Sequence, residues 1–411
     1  MPETTDVLAQ VDTARGDRPR VLIVGAGVAG VTATRTLRAH GLHPVLVERA
    51  RPGGDEGYML GLMPFVDPVL EDLGARTRYL ERSVGMHRYR LHGASGAVLR
   101  DYSLDEAIGR FGDYRGIERA ELLSVLGLQT LPVAYGTTLT ALEQDAARVH
   151  VTLDEAGTRI EADFDAVVVA DGLHSSTRRL VVAPGEVGRY DTGWGGWVAW
   201  TSADDGQDRY EETWGAGSFV GFYPVPGRLG VFVGGPNETT AAGPAEFTRR
   251  VERHLRHVDD RTARALRAVA AAPDPYYWAM SDVRCRRWTV GRVALLGDAA
   301  AGFLPTAGVG AAMAMESAAV LGRELAACEA VSVPNALDAY ERTQRPRVQT
   351  AQDNSRQLAR LMFRRGRLVT AVRDTLTRFV GVNTALGPIR KLLAQRGPSP
   401  ARPAGSARRP G

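Results

Sequence analysis

Apolar residues along the chain fall into short blocks with two distinct periods. Arg20–Val24 is a β-branched run that stops at Gly25, Ala29–His40 has helical spacing and stops at Gly41, and Val45–Glu48 is a second apolar block. That order predicts strand, helix and parallel strand, a complete βαβ unit. Val133–Tyr135 predicts a further strand, and Val149–Leu153 with Arg159–Ala162 predict a hairpin across Glu155-Ala156-Gly157. Ala166–Ala170 is apolar throughout, as a strand buried on both faces must be. From about 191 to 234 the pattern changes to alternating aromatic and small residues broken by Gly and Pro. Such alternation predicts an antiparallel sheet, with Gly215-Ala216-Gly217 as a hairpin turn. One polar helix is predicted over about 244–270, a third buried strand at Val293–Leu296 and a helix from about 310. Leu358, Leu361, Leu368 and Val372 recur at near-helical spacing, which predicts C-terminal helices held to the body by that face.

Composition narrows the class. A chain of 411 residues, 44% hydrophobic and 24% charged, is globular and large enough for two or three domains. No apolar run reaches the roughly 18 residues of a membrane helix, and the polar first nineteen residues lack a signal-peptide core. Two cysteines, Cys285 and Cys328, make no disulfide framework and no C-x-x-C pair, which suits a reducing cytoplasm. Charge is uneven. Residues 341–411 hold 16 Arg and Lys against 3 Asp and Glu. No nucleic-acid motif accompanies them, so they read as a solvated helix surface, and the Pro-, Arg- and Gly-rich stretch 397–411 reads as a disordered tail. His254 and His257, at helical spacing among arginines, read as another solvated face, so no metal site is expected.

The candidate chemistry starts at Gly25-Ala26-Gly27-Val28-Ala29-Gly30, a G-x-G-x-x-G between a strand and a helix. Gly25 permits the tight turn, Gly27 lets backbone approach a pyrophosphate, and Gly30 lets helix pack on strand. The helix N-terminus supplies N–H groups, and Glu48 at the next strand end is placed for ribose hydroxyls. This context predicts dinucleotide binding. Two more segments follow buried strands or contain one. They are Asp171-Gly172-Leu173-His174-Ser175-Ser176-Thr177-Arg178 and Gly291–Ala300, which ends Gly297-Asp298-Ala299-Ala300 and is followed by Pro305, Gly308 and Gly310.

In order and spacing, these three motifs and the helix start Ile117-Glu118-Arg119-Ala120-Glu121-Leu122-Leu123 resemble the class A FAD-dependent monooxygenases, the para-hydroxybenzoate hydroxylase fold. The chain resembles their short branch, without a C-terminal thioredoxin-like domain. The resemblance implies non-covalent FAD held by Gly25, Gly27, Ala29 and Gly30. It puts Glu48 and Arg49 near the adenosine ribose, Arg119 near the pyrophosphate or ribityl, and Asp298 on the ribityl chain. Asp171 and Arg178 would lie in the segment that supports the cofactor, and Pro305, Gly308, Val309 and Gly310 along the flavin ring. It also implies NAD(P)H as co-substrate and O₂ as oxidant. Ala301 stands where the family often has His, which leaves no evident acid or base beside the ring, so no catalytic residue is assigned. Tyr58, Met59, Trp200, Phe222 and Phe303 are the candidate substrate contacts, with Tyr58–Met63 as a loop passing the flavin edge.

Related chemistries fit less well. Disulfide reductases need a cysteine pair that is absent, and flavin halogenases need an active-site lysine, whereas Lys391 is the only lysine of the chain. The expected fold is therefore α/β: a Rossmann-like FAD domain, 18–180 and 276–350, interrupted by a mostly antiparallel substrate sheet, 181–275 with a contribution from about 83–103. Helices over 351–396 complete it. The expected activity is hydroxylation or epoxidation of an apolar, ring-bearing small molecule, in secondary metabolism. The alternative is FAD as architecture around a non-redox cyclisation or a binding pocket.

Overall fold

The computed structural model describes residues 3–53, 57–204, 206, 208–273 and 275–395; the expected disordered tail, 397–411, lies outside these. Among the described residues the strands form two seven-stranded sheets and two three-stranded ones, an α/β architecture as the patterning predicts. The first sheet runs Glu3–Thr4, Pro132–Tyr135, Val45–Glu48, Val21–Val24, Ala166–Val169, Val293–Leu295, Thr289–Val290 and is parallel except at the last pair. Val21–Val24 and Ala166–Val169 are buried at every position, which is why they carry no polar alternation. Helices Val28–Ala39 and Gly310–Ala326 pack together on this sheet.

The second sheet runs Tyr276–Cys285, Val187–Ser202, Arg228–Pro236, Phe219–Val225, Arg209–Trp214, Arg88–His92, Val98–Ser103. Its strands alternate between two apolar layers. Trp197, Ala199, Val220, Phe222, Val231 and Val233 face helices Pro244–His254 and Asp260–Ala271. Trp194, Val198, Phe219 and Phe232 face the other way, toward Met59, Leu304 and Met362. That second face borders a cavity also lined by Gly27, Ala170 and Asp298, which follow strands of the first sheet.

Several expectations are corrected. The helix predicted over 244–270 is two helices, because the chain turns extended at Leu255 and Asp259 caps a new one by accepting from the Thr262 N–H at 2.8 Å. The stretch Tyr58–Met63, read as a loop, contains a strand, Met59–Leu62, paired antiparallel with Arg115–Glu118. The boundary drawn at 275/276 cuts off Tyr276–Cys285, which is an edge strand of the second sheet. The boundary at 350 falls inside one continuous helix, Val333–Met362. Of the four C-terminal apolar residues, Leu358 packs inward, whereas Leu368 is 85% and Val372 62% exposed, and Leu361 is exposed as well. Helix Arg367–Thr377 is held instead by polar contacts. Buried Arg373 donates to the carbonyls of Met362 and Trp214, and Asp374 accepts the Ala94 N–H at 2.7 Å.

Candidate active site

The two sheets enclose a cavity of about 410 Å³. At one end stands the Gly-rich turn. Gly25 has φ +109°, and a side chain on it would lie 2.5 Å from the Ala170 carbonyl oxygen; one on Gly30 would lie 1.9 Å from the Gly25 oxygen. These two glycines are demanded by strand–helix packing. Gly27 differs: a Cβ there meets nothing closer than Arg119 Nη2 at 3.9 Å and projects into open space, at the first turn of helix Val28–Ala39. Ala29 lines the cavity beside it. Glu48 accepts the N–H groups of Ala26 and Ala50, both at 2.8 Å, so its carboxylate braces the turn. Arg49 is exposed and outside the cavity wall.

Two further segments converge on that end. Buried Arg178 donates to the carbonyls of Ala299 at 2.9 Å and Leu173 at 2.8 Å, tying the segment after Ala166–Val169 to the one after Val293–Leu295. Asp171 accepts the Thr177 N–H through Oδ2, and its Oδ1 is buried without a hydrogen-bond partner. Asp298 opens the short helix Asp298–Ala301 and reaches the cavity; burial pushes its carboxyl up to about 6, against the pull of Arg119 and Arg178. Pro305, Gly308, Gly310 and Phe303 line the adjoining wall, while the Val309 side chain is buried in the core. Removing the Arg178 clasp strands the carbonyls of Ala299 and Leu173, so Arg178→Ala should cost about 2 kcal/mol. Thermal unfolding of the FAD-free protein measures this; an unchanged melting temperature would show that the two segments hold their places unaided.

The opposite end is aromatic. Tyr58 and Met59 line it, with Tyr58 4.8 Å from the Trp278 ring centroid. The expected contacts Phe222 and Trp200 are corrected. Phe222 points to the helix layer, because its neighbours Phe219 and Tyr223 take the cavity face of the strand. Trp200 lies beyond the cavity, its ring covered by the Arg228 guanidinium at 3.8 Å, and Arg228 is paired with Glu118. Phe363 arrives from the C-terminal end of the long helix and stacks on Trp194 at 4.7 Å. At the floor lie Tyr114, Tyr210, Tyr223 and Glu212.

Glu211 and Glu212 are neighbours with opposite fates, because successive strand residues face opposite sides. Glu211 turns to the helix layer; burial raises its carboxyl, but His92, Arg261 and Arg209 outweigh that and hold it at about 2. Glu212 turns to the cavity and meets neutral donors. Tyr89 and Trp214 donate to Oε2 at 2.8 Å each, Tyr210 donates to Oε1, and burial raises the carboxyl above its ordinary range. The sequence reading missed Glu212.

Four features fit a flavin dinucleotide: the open Cβ position of Gly27, the helix N-terminus behind it, the orphaned Asp171 oxygen, and Asp298 at the cavity. Among the described residues, no group of His, Cys, Asp and Glu side chains is placed to hold a metal ion, and no helix is long and apolar enough to cross a membrane.

Residues 18–355 match the family described as FAD binding domain. An uncharacterized protein of Mycobacterium tuberculosis, Rv1260, is 32% identical over 340 residues, 75% of this chain and 85% of that protein. The 3-amino-4-hydroxybenzoate 2-monooxygenase PtmB3 of Streptomyces platensis is 30% identical over 357 residues, covering 83% and 88%. Among solved structures, Klebsiella pneumoniae HpxO complexed with FAD and uric acid superposes with a TM-score of 0.79 at 24% identity, over 91% of this chain and 97% of that one. The matched span takes in the Gly-rich turn, both supporting segments and the aromatic floor, and the chain belongs to the class A FAD-dependent monooxygenase family.

Proposed function

We propose that the enzyme uses NAD(P)H and O₂ to hydroxylate or epoxidise an apolar, ring-bearing small molecule in secondary metabolism, within the cytoplasm. The observation that carries this reading is one continuous cavity running from Gly27 and Asp298 to a wall of Tyr58, Phe219, Phe232, Trp278 and Phe363. Such a wall takes a planar apolar ring and offers aromatic faces at stacking distance. The two unbridged cysteines support the compartment.

FAD, when bound, supplies the electron transfer from NAD(P)H and the activation of oxygen. The protein's share is placement and dryness. The backbone from Gly25 to Gly30 and the N-terminus of helix Val28–Ala39 would hold the pyrophosphate, with Arg119 beside it. Asp298 would accept a ribityl hydroxyl. Backbone at Gly308 and Gly310, with Pro305, would flank the ring, and the positive end of helix Gly310–Ala326 favours negative charge developing there. Glu48 would act on the ribose only through acceptor capacity left over from Ala26 and Ala50. Aromatic side chains over the other end exclude water from the reacting atoms.

The test is isotopic. With a turned-over substrate, one atom of ¹⁸O from ¹⁸O₂ is expected in the product, and NAD(P)H oxidation should accelerate when substrate is added. Full conversion without oxygen or reductant, giving a product of unchanged mass, would overturn oxygenation in favour of non-redox chemistry on the same scaffold.

A further inference from the structure

We infer that Glu212 is the specificity-determining acceptor of the cavity floor, and that the substrate is a planar ring bearing an uncharged O–H or N–H donor rather than a carboxylate. The inference rests on the monooxygenase reading for the word substrate, and on geometry for everything else.

Glu212 is 3% exposed, yet its carboxyl borders the cavity. A carboxylate offers about four acceptor positions. Two on Oε2 are filled by Tyr89 and Trp214, and one on Oε1 by Tyr210. The fourth position is on Oε1, and Glu212 is part of the cavity lining. None of the three donors is a cation, so nothing here neutralises the carboxylate as Arg261 and Arg209 do for Glu211. A fourth neutral donor would offset desolvation that three donors only partly offset. A ring presenting O–H or N–H supplies it. A ring presenting a carboxylate would bring a second negative charge against a buried one, with no guanidinium at this end to receive it. Among the described lining residues the one arginine is Arg119, whose guanidinium lies beside Gly27. The tyrosines do not change the sign of this argument. Burial raises the phenols of Tyr114, Tyr210 and Tyr223, which stay neutral and can turn to satisfy either partner.

The amide variant makes the proposal sharp. In Glu212→Gln the carbonyl oxygen must take the Oε2 position, because the Trp214 N–H there can only donate, which leaves the NH₂ at the Oε1 position. The Oε1 position thus changes from acceptor to donor without change of shape.

Three matched probes separate the outcomes: 2-naphthol, 2-methoxynaphthalene and 2-naphthoate, in equilibrium dialysis against the FAD-loaded enzyme. The wild type is expected to bind 2-naphthol at least about tenfold more tightly than either other probe, the worth of one buried hydrogen bond. Glu212→Gln is expected to lose that preference and to gain affinity for 2-methoxynaphthalene or 2-naphthoate. Tight binding of 2-naphthoate by the wild type would overturn the inference. So would equal affinity for naphthol and its methyl ether, an unchanged ranking in a folded Glu212→Gln, or no saturable binding of any probe. Should the variant fail to fold, the wild-type ranking alone decides. These outcomes are independent of the ¹⁸O₂ result: selectivity without oxygen incorporation would spare the Glu212 assignment and sink the monooxygenase reading, and the reverse pattern would do the opposite.

Discussion

In Gly27→Val, FAD affinity is expected to fall by about 100-fold while the FAD-free protein keeps its melting temperature. The two halves of that expectation have separate causes. A Cβ at 27 meets nothing closer than Arg119 Nη2 at 3.9 Å and φ is −76°, so the folded chain accommodates a branched side chain there. The space it enters is the space the turn leaves for a pyrophosphate, and overpacking such a contact costs about 1–3 kcal/mol, or about 5- to 150-fold in affinity. Gly30→Ala is the contrast. Its Cβ would lie 1.9 Å from the Gly25 oxygen, so helix and strand must part and the loss is of fold. Fluorescence titration with FAD and thermal unfolding without it measure both halves. A Gly27→Val protein that binds FAD with unchanged affinity would show that the turn is structural and that the dinucleotide site lies elsewhere.

The sequence made the Gly-rich end of the cavity legible because backbone geometry dictates residue type there. A turn with φ +109° against the Ala170 carbonyl permits little but Gly, so position and role can be read together. The buried strands were legible for the same reason, since Ala166–Val169 tolerates no polar residue on either face. The aromatic end was harder, because there only the parity of a strand decides. Phe219, Phe222 and Tyr223 are equally good cavity residues by composition; the β-period puts the first and last on one side and Phe222 among Val231, Val233 and Phe247. A signal was available. In Tyr210-Glu211-Glu212-Thr213-Trp214 the alternation places two aromatic residues with Glu212 on one face and leaves Glu211 on the other. A lone carboxylate on an aromatic face is the kind of polar residue that needs an explanation. Phe363 carried no such signal. It reaches the cavity only because helix Val333–Met362 runs thirty residues unbroken through Pro346 and delivers its C-terminus to the second sheet. Nor could spacing alone show that Arg367–Thr377 is anchored by Arg373 and Asp374 with its apolar residues outward.

Asp298→Asn is expected to move stability and cofactor affinity in opposite directions. Burial lifts the Asp298 carboxyl from 3.8 to about 6 in the FAD-free protein. A folded-state value above the unfolded one means that the native state binds the extra proton between those limits. The associated stability is therefore fully present below about pH 4, and it is lost as pH rises through about 6. Above that the wild type carries an ionised, half-buried carboxylate, a cost of about 2 kcal/mol after the ~3 kcal/mol of the full shift is discounted for solvent reaching it through the cavity. Asparagine cannot ionise and escapes it. At pH 7.5 the FAD-free variant should melt about 2 °C above the wild type, and at pH 4 the two should coincide. FAD should bind the variant about tenfold more weakly, because an amide oxygen accepts a ribityl hydroxyl without the added strength of charge. Melting curves at the two pH values and one FAD titration suffice. If the variant gains nothing at pH 7.5, the carboxyl is not held in an unfavourable state; if it binds FAD as tightly as the wild type, Asp298 does not touch the cofactor. A gain in stability coupled to a loss of affinity would mark Asp298 as a residue kept at a cost to the fold because the cofactor needs its charge.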